Sequence, residues 1–255
     1  QSVENYIENG HDESVETWPF LGRLKSPVKR HLILEVKPAS PSAGDMAESI
    51  AQDASQLTAR LAVYNRHASA ISVLTDEKYF KGNMQLLRDV VAQVDCPVLC
   101  KDFIIDSYQL CEAKLAGASA VLLIVKILDD AQLSQLFQTA LELNLTPVVE
   151  VQTEQEVERA LAIPAIEQSA ILINNRDLTD FSIAFETTQR LTPMIRQRFP
   201  EQVVISASGI DTEADIQALL PSTQTFLIGS ALMTVDGETL NQKLLELSGE
   251  GLSDD

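Results

Sequence analysis

Eight short apolar runs recur along the chain and constrain its fold more than any other feature. They read HLILEVK (31–37), ASAISVLT (68–75), PVLCKDF (97–103), SAVLLIVK (119–126), PVVEV (147–151), SAILINN (169–175), VVISASG (203–209) and TFLIGS (225–230). Most end in polar or charged residues, and an amphipathic stretch with helical spacing follows each one. A strand followed by a helix, eight times over, is the pattern of an α/β chain closing into a (β/α)8 TIM barrel, whose chemistry sits at the C-terminal ends of its strands. Lys37, Lys101, Lys126 and Arg176 stand at or just past those ends, with Glu35 and Glu150 inside the runs.

Length agrees with this pattern. The 255 residues suit one barrel (31–247) with a short N-terminal extension (1–30) and a polar tail (248–255) expected to be disordered. Within the extension, Trp18 to Leu21 are expected to cover one end of the barrel. No run approaches ~18 uninterrupted apolar residues, so no membrane partner is expected. The first thirty residues hold no apolar stretch of the secretory kind. Cys96, Cys100 and Cys111 match no zinc spacing, and His11, His31 and His67 are scattered. Free thiols in a reducing cytoplasm and no metal site are the expectation.

A net charge of −18 argues against a nucleic-acid partner, which needs a basic face. It also sharpens the meaning of the cations at the strand ends. With 37 acidic and 19 basic side chains, an anion is held only where positive groups are gathered. Neither common nucleotide-binding glycine signature, GxGxxG or GxxxxGK[ST], is present.

Local signals support the alternation. Asp106-x-x-Gln109, Asp129-x-x-Gln132 and Thr153-x-x-Glu156 read as capping boxes opening the helices after the third, fourth and fifth strands, and Gly117 as a helix C-cap. Residues 43–52 form a long loop of small residues after the first strand.

Strand periodicity then groups the candidate site residues. Glu35 and Lys37 share one face of the first strand; Leu99, Lys101 and Phe103 share one of the third; Val148 and Glu150 of the fifth; Leu172, Asn174 and Arg176 of the sixth. A single charge leaving a strand is ordinary solvation, and that is the bland reading of Lys126. Inward-facing Glu and Lys on three strands together would cost several kcal/mol if buried without purpose, so they mark a functional site. Ser208-Gly209 and Gly229-Ser230 follow the seventh and eighth runs, the loops with which barrels bind phosphate. Phe80, Phe103, Leu122 and Leu178 lie near strand ends and are candidates for the walls of an apolar slot.

The segments LEVKPASPSAG (34–44), ISVLTDEKYFKG (71–82), VLCKDFIID (98–106), VLLIVKIL (121–128), VVEV (148–151), INNRDL (173–178), SGI (208–210) and FLIGSALM (226–233) are, in order, similar to those of the indole-3-glycerol phosphate synthase family. The resemblance runs from about residue 20 to 245, and the E-x-K-x-x-SPS and KDFI segments carry most of it. It implies a lyase of tryptophan biosynthesis that closes the indole ring of 1-(2-carboxyphenylamino)-1-deoxyribulose 5-phosphate with loss of CO2 and water. By resemblance Lys101 is the general acid at the ketose carbonyl. Glu150 handles proton transfer in dehydration, with Glu35 and Asn174 turned toward the leaving hydroxyl. Lys37 holds the substrate carboxylate beside Ser40, and Arg176 supports them. Ser208, Gly209, Gly229 and Ser230 bind the phosphate. The implied partner is a small phosphorylated substrate, with association with other tryptophan-pathway enzymes left open. Such chemistry needs an acid, a base, an apolar slot and anion sites, and neither metal nor other cofactor.

The chain departs from the family pattern in places. Where the family usually reads E-S-G after the seventh strand, this chain reads Ala207-Ser208-Gly209, and Ala43 stands where a lysine often follows SPS. The basic helix often seen before the first strand is lacking, and the loop at 43–52 looks longer than usual. Two other readings of the residues therefore stay open: a different sugar-phosphate barrel enzyme such as an isomerase, and a low-activity or non-catalytic paralogue that keeps the phosphate site. A Schiff base on Lys101 is a third chemical option, though one proton donation suffices for the ring closure.

Overall fold

A computed structural model describes residues 20–38, 54–177 and 180–250. Within them, eight parallel strands close into a barrel in chain order. They are β1 (His31–Val36), β2 (Ala70–Leu74), β3 (Val98–Lys101), β4 (Ala120–Ile124), β5 (Thr146–Val151), β6 (Ala170–Asn174), β7 (Val203–Ala207) and β8 (Thr225–Ile228), and β8 pairs back onto β1. Every one coincides with a run read from the sequence. The strands are buried on both faces, which is why they read as nearly unbroken apolar runs instead of alternating ones.

Helices pack outside the ring: α1 (Phe20–Leu24), α2 (Ala54–His67), α3 (Met84–Val91), α4 (Ser107–Leu115), α5 (Asp130–Glu142), α6 (Glu154–Leu161), α7 (Glu186–Arg198), α8 (Glu213–Leu219), α9 (Ser230–Met233) and α10 (Gly237–Ser248). Asp106 and Asp129 each close a reciprocal capping box with the glutamine three residues on. Thr153 forms half of one: its hydroxyl accepts from Glu156 N, but the Glu156 carboxylate turns to the backbone N–H of Gln152. A complete box that was not expected opens α8, between Thr212 and Asp215. Gly117, just past α4, takes φ +90°, the left-handed stop expected of a glycine there.

Two apolar layers result. Ile71, Val73, Leu123, Val149 and Ile173 point outward and pack under the helices. Ile33, Leu99, Val148, Leu172, Ile205 and Leu227 point inward and fill the barrel, together with Phe20 and Leu24 of α1. The short N-terminal helix therefore joins the inner core, as the reading of residues up to Leu21 anticipated; Trp18 lies outside the described residues. Leu24 lies with Val203 and Thr225, at the end where the strands begin. The last helix reaches Ser248 and is stopped by left-handed Gly249, while 251–255 lie outside the description. Among the described residues no helix is long and apolar enough to cross a membrane.

The inner layer sets the site by parity. Two residues beyond Ile33, Leu99, Val148, Leu172, Ile205 and Leu227 stand Glu35, Lys101, Glu150, Asn174, Ala207 and Gly229. All of these inward positions but Ala207, which stays with the inner core, change character where the chains leave the apolar filling and approach the mouth.

Candidate active site

That mouth opens into a cavity of about 440 Å3. Glu35, Lys37, Phe80, Lys101, Phe103, Glu150, Asn174, Arg176, Ser208, Gly209, Gly229 and Ser230 all line it. Leu122 lines a smaller annex beneath Phe80 and Phe103, which shares Lys101, Glu150 and Asn174 with the main cavity. Ser40 and Leu178 lie outside the described residues, as do Ala43 and the loop at 43–52. Lys126 does not join the site. The strand gives way at Ile124 to a single 3₁₀ turn, Val125–Ile127, and Lys126 is exposed on it.

Glu35 is the electrostatic centre. Its Oε1 lies 3.1 Å from Lys37 Nζ and its Oε2 lies 2.9 Å from Lys101 Nζ. Burial alone would raise its pKa, but the two ammonium groups, Lys101 foremost, outweigh burial and hold the carboxyl down at about 2. Lys101 feels the converse balance: burial opposes its charge, and Glu35 and Glu150 together raise its pKa. Its side chain is 20% exposed against 4% for Glu35, so Lys101 is the member of the pair that reaches into the cavity.

Glu150 differs from Glu35 although both are buried carboxylates. Burial raises its pKa, and the opposing pull of Lys101 and of the Asn174 amide is not enough to restore it. Asn174 Nδ2 donates to Glu150 Oε1 at 3.1 Å, while Asn174 Oδ1 accepts from Ser208 Oγ at 2.8 Å. The two environments push the carboxyl pKa values apart: Glu35 is held as a fixed counter-charge, whereas burial favours the protonated form of Glu150.

The two glycine–serine turns meet at the other side of the cavity. Lys37 Nζ donates to Ser230 Oγ at 3.1 Å, which ties the first strand to the turn after β8. A Cβ on Gly229 would overlap Glu35 Oε1, so this glycine makes room for the carboxylate. Ser208 and Gly209 both take left-handed backbone, φ +74° and +81°, and a Cβ on Gly209 would overlap Ile183.

The apolar wall is built by a turn. The Asp76 carboxylate accepts from the backbone N–H of Tyr79 (2.6 Å) and of Phe80 (3.2 Å), which presents both rings toward Phe103. Phe103 meets Tyr79 edge-on at 6.1 Å and Phe80 at 6.3 Å between ring centroids. Tyr79, Phe181, Ile183 and Asp211 also line the cavity and were not anticipated. Phe181 and Ile183 arrive because the chain after β6 folds back in a short antiparallel bridge between Arg176 and Ile183. The Asp76 turn was readable in the charged, aromatic stretch DEKYFKGN (76–83), whereas the bridge has no periodic signal in the sequence.

Ala207, at the end of β7, lines the same cavity and is buried among the inward residues. The chain thus presents Lys37, Lys101 and Arg176 to the cavity against Glu35, Glu150 and Asp211. Among the described residues no group of acidic, histidine or cysteine side chains is placed to hold a metal.

The comparisons with known proteins agree with this geometry. The solved structure of a mutant tryptophan synthase α-subunit from Pyrococcus furiosus superposes with a TM-score of 0.65, covering 87% of this chain and 99% of that one; at 16% identity this likeness concerns the fold alone. The tryptophan biosynthesis protein TrpCF of Vibrio parahaemolyticus is 43% identical over 208 residues, which are 82% of this chain but 42% of that protein. The chain therefore spans less than half the length of that relative. The indole-3-glycerol phosphate synthase of Aquifex aeolicus is 43% identical over 244 residues, 95% of this chain and 90% of that protein. A family model described as indole-3-glycerol phosphate synthase matches residues 2–245, and with it the chain belongs to the indole-3-glycerol phosphate synthase family.

Proposed function

We propose that this protein converts 1-(2-carboxyphenylamino)-1-deoxyribulose 5-phosphate into indole-3-glycerol phosphate, CO2 and water. The observation that carries the reading is the pairing at the barrel mouth of a charged Lys101, held by Glu35, with a Glu150 whose carboxyl is pushed up by burial. In the first step the carboxyl-bearing aromatic carbon attacks the ketose carbonyl. Lys101 gives its proton to the carbonyl oxygen, which becomes a hydroxyl, and CO2 departs as the ring regains aromaticity. In the second step that hydroxyl leaves as water with a proton. Glu150 removes the neighbouring C–H proton, and the electron pair closes the indole double bond. Proton transfer by positioned side chains suffices for both steps.

The remaining residues bind. Phe80, Phe103 and Leu122 wall the space for the aromatic ring, Lys37 and Arg176 face the substrate carboxylate, and the Ser208-Gly209 and Gly229-Ser230 turns take the phosphate. Ser40 belongs to the same proposal by the sequence resemblance, and Leu178 by its place just past the sixth run. A cytoplasmic location, supported by three unpaired buried thiols, and association with other tryptophan-pathway enzymes are parts of the proposal as well.

The fluorescence of indole-3-glycerol phosphate tests it directly. Purified protein should form the product, and Lys101→Ala and Glu150→Gln should each lower kcat on the order of 10²-fold, the usual contribution of a general acid or base. The acid limb of the kcat profile should lie above the ordinary carboxylate range, because burial raises Glu150. No product from the wild-type chain, or near-normal turnover by Lys101→Ala, refutes the assignment.

A further inference from the structure

Behind the Ser208 turn lies a polar cluster that the proposed mechanism does not use. Asn175, Thr188 and Ser206 come from the end of β6, from α7 and from β7, and they are 2%, 0% and 0% exposed. They lie on the outer side of the barrel wall, where the neighbouring side chains are apolar. Asn175 Nδ2 donates to Ser206 Oγ (2.9 Å), and Thr188 Oγ1 donates to Asn175 Oδ1 (2.7 Å). Ser206 Oγ and Thr188 Oγ1 are 2.9 Å apart, and with the Thr188 proton already committed, Ser206 donates across that gap. The three side chains form a closed ring in which each gives one hydrogen bond and receives one.

The ring locks the Asn175 amide, and the amide grips the turn. Asn175 Nδ2 also reaches the carbonyls of Ala207 (3.0 Å) and Ser208 (3.4 Å). Successive carbonyls of an extended chain point in opposite directions. Here two in a row face the same asparagine because Ser208 stands at φ +74°. In a trans peptide the N–H points away from the C=O of the same plane. The Ala207 carbonyl also accepts from the Asn175 backbone N–H (2.9 Å) and so lies in the barrel wall as the last rung of the ladder, whereas the Ser208 carbonyl is turned toward the outer side and aims the Gly209 N–H away from it, toward the cavity that both residues line. A backbone N–H aimed in this way is a fixed donor for an anion. A serine in left-handed backbone is strained and persists only where its surroundings impose it.

We infer that Asn175 is a positioning residue for anion binding: through its ring with Thr188 and Ser206 it imposes the left-handed Ser208 that turns the Gly209 backbone N–H into the cavity. Asn174 and Asn175 thus hold one turn from two sides, Asn174 through the Ser208 hydroxyl and Asn175 through the carbonyls. The inference rests on the reading of these turns as the phosphate site.

A double-mutant cycle of Asn175→Ala with Ser208→Gly tests it, because glycine adopts positive φ unaided. For each protein the KM for the substrate, the Kd for inorganic phosphate by calorimetry and the stability by urea denaturation are measured. Asn175→Ala should weaken KM and phosphate Kd about tenfold, the scale of a lost hydrogen bond or two, while kcat falls much less. In the Ser208→Gly background the same change should cost about twofold or less, although the loss of stability persists. Equal losses of affinity in both backgrounds, or a loss of stability with phosphate Kd unchanged, would overturn the inference. If Asn175→Ala does not fold, Thr188→Val unties the amide more gently and should give a smaller loss with the same suppression; no loss of affinity overturns the idea. A wild-type chain that binds phosphate without forming product refutes the proposed reaction alone, and the Kd series still decides the role of Asn175. A wild-type chain that binds no phosphate refutes the inference.

Discussion

Glu35 serves two cations with one carboxylate, and much of the chemistry of this barrel follows from that shortage. Its pKa, about 2 in the folded chain, lies below the 4.5 of a free glutamate. A depressed carboxyl pKa contributes stability that is fully present above the unfolded value and lost as pH falls through the folded one. The stability gap between the wild type and Glu35→Gln should thus be constant from neutral pH to about 5 and narrow below that. Urea melts from pH 7 to 3 check it, and a gap unchanged at pH 3 would mean that the lysines do not hold this carboxyl ionised. Ala207 is the other side of the shortage. Its side chain faces the cavity, across the ladder from Asn174 and Leu227. A carboxylate there would add a counter-charge for Lys101 beyond Glu35 and Glu150, since an opposite charge within ~4–6 Å favours the ionised form. Ala207→Glu is therefore expected to raise kcat. Identical kcat and KM in the two proteins would show that a small residue at 207 is simply tolerated.

At the scale of elements, the strands carry the charges, and in the proposed function the turns carry the binding. Gly229→Ala separates these roles. The new Cβ would overlap the Glu35 carboxylate, so Glu35 must shift away from one of its lysines. KM should rise and kcat should fall together, with only a small drop in thermal stability; a KM effect with kcat intact would mean that Glu35 does not move. What was legible in the sequence divides along the same line. The strands were readable because burial on both faces leaves nearly unbroken apolar runs, and strand parity then placed Glu35, Lys101, Glu150 and Asn174 on one mouth. Lys126 is the solvated charge that its bland reading described, because the strand stops at Ile124 and a 3₁₀ turn throws the side chain outward. The Arg176–Ile183 bridge and the ring of Asn175, Thr188 and Ser206 were invisible, since each joins residues whose relation exists only after the barrel has closed. Thr153-x-x-Glu156 shows a local signal outvoted: the carboxylate found another backbone N–H one residue back.

At the scale of the whole molecule, a net charge of −18 surrounds a site that the proposed function fills with an anionic ligand. The two fields have different ranges. The charge of the whole surface acts over tens of ångströms in dilute buffer, whereas Lys37 and Lys101 stand among groups 2.9–3.1 Å away inside a buried mouth. Salt separates them, because the Debye length falls from about 30 Å at 0.01 M to about 8 Å at 0.15 M. Added salt removes the long-range repulsion first and leaves the buried contacts least affected. The first increments of an inert salt should therefore strengthen binding of inorganic phosphate and raise kcat/KM, the reverse of what a basic protein shows toward an anion. At higher salt the short-range attraction is screened in turn and the effect should reverse. Calorimetric phosphate titrations across 0.01–0.5 M sodium chloride, with kcat/KM measured in parallel, follow both regimes. Affinity that only declines from the lowest salt upward would mean that the cations at the mouth dominate at every distance, and that the acidic surface has no part in admitting the ligand.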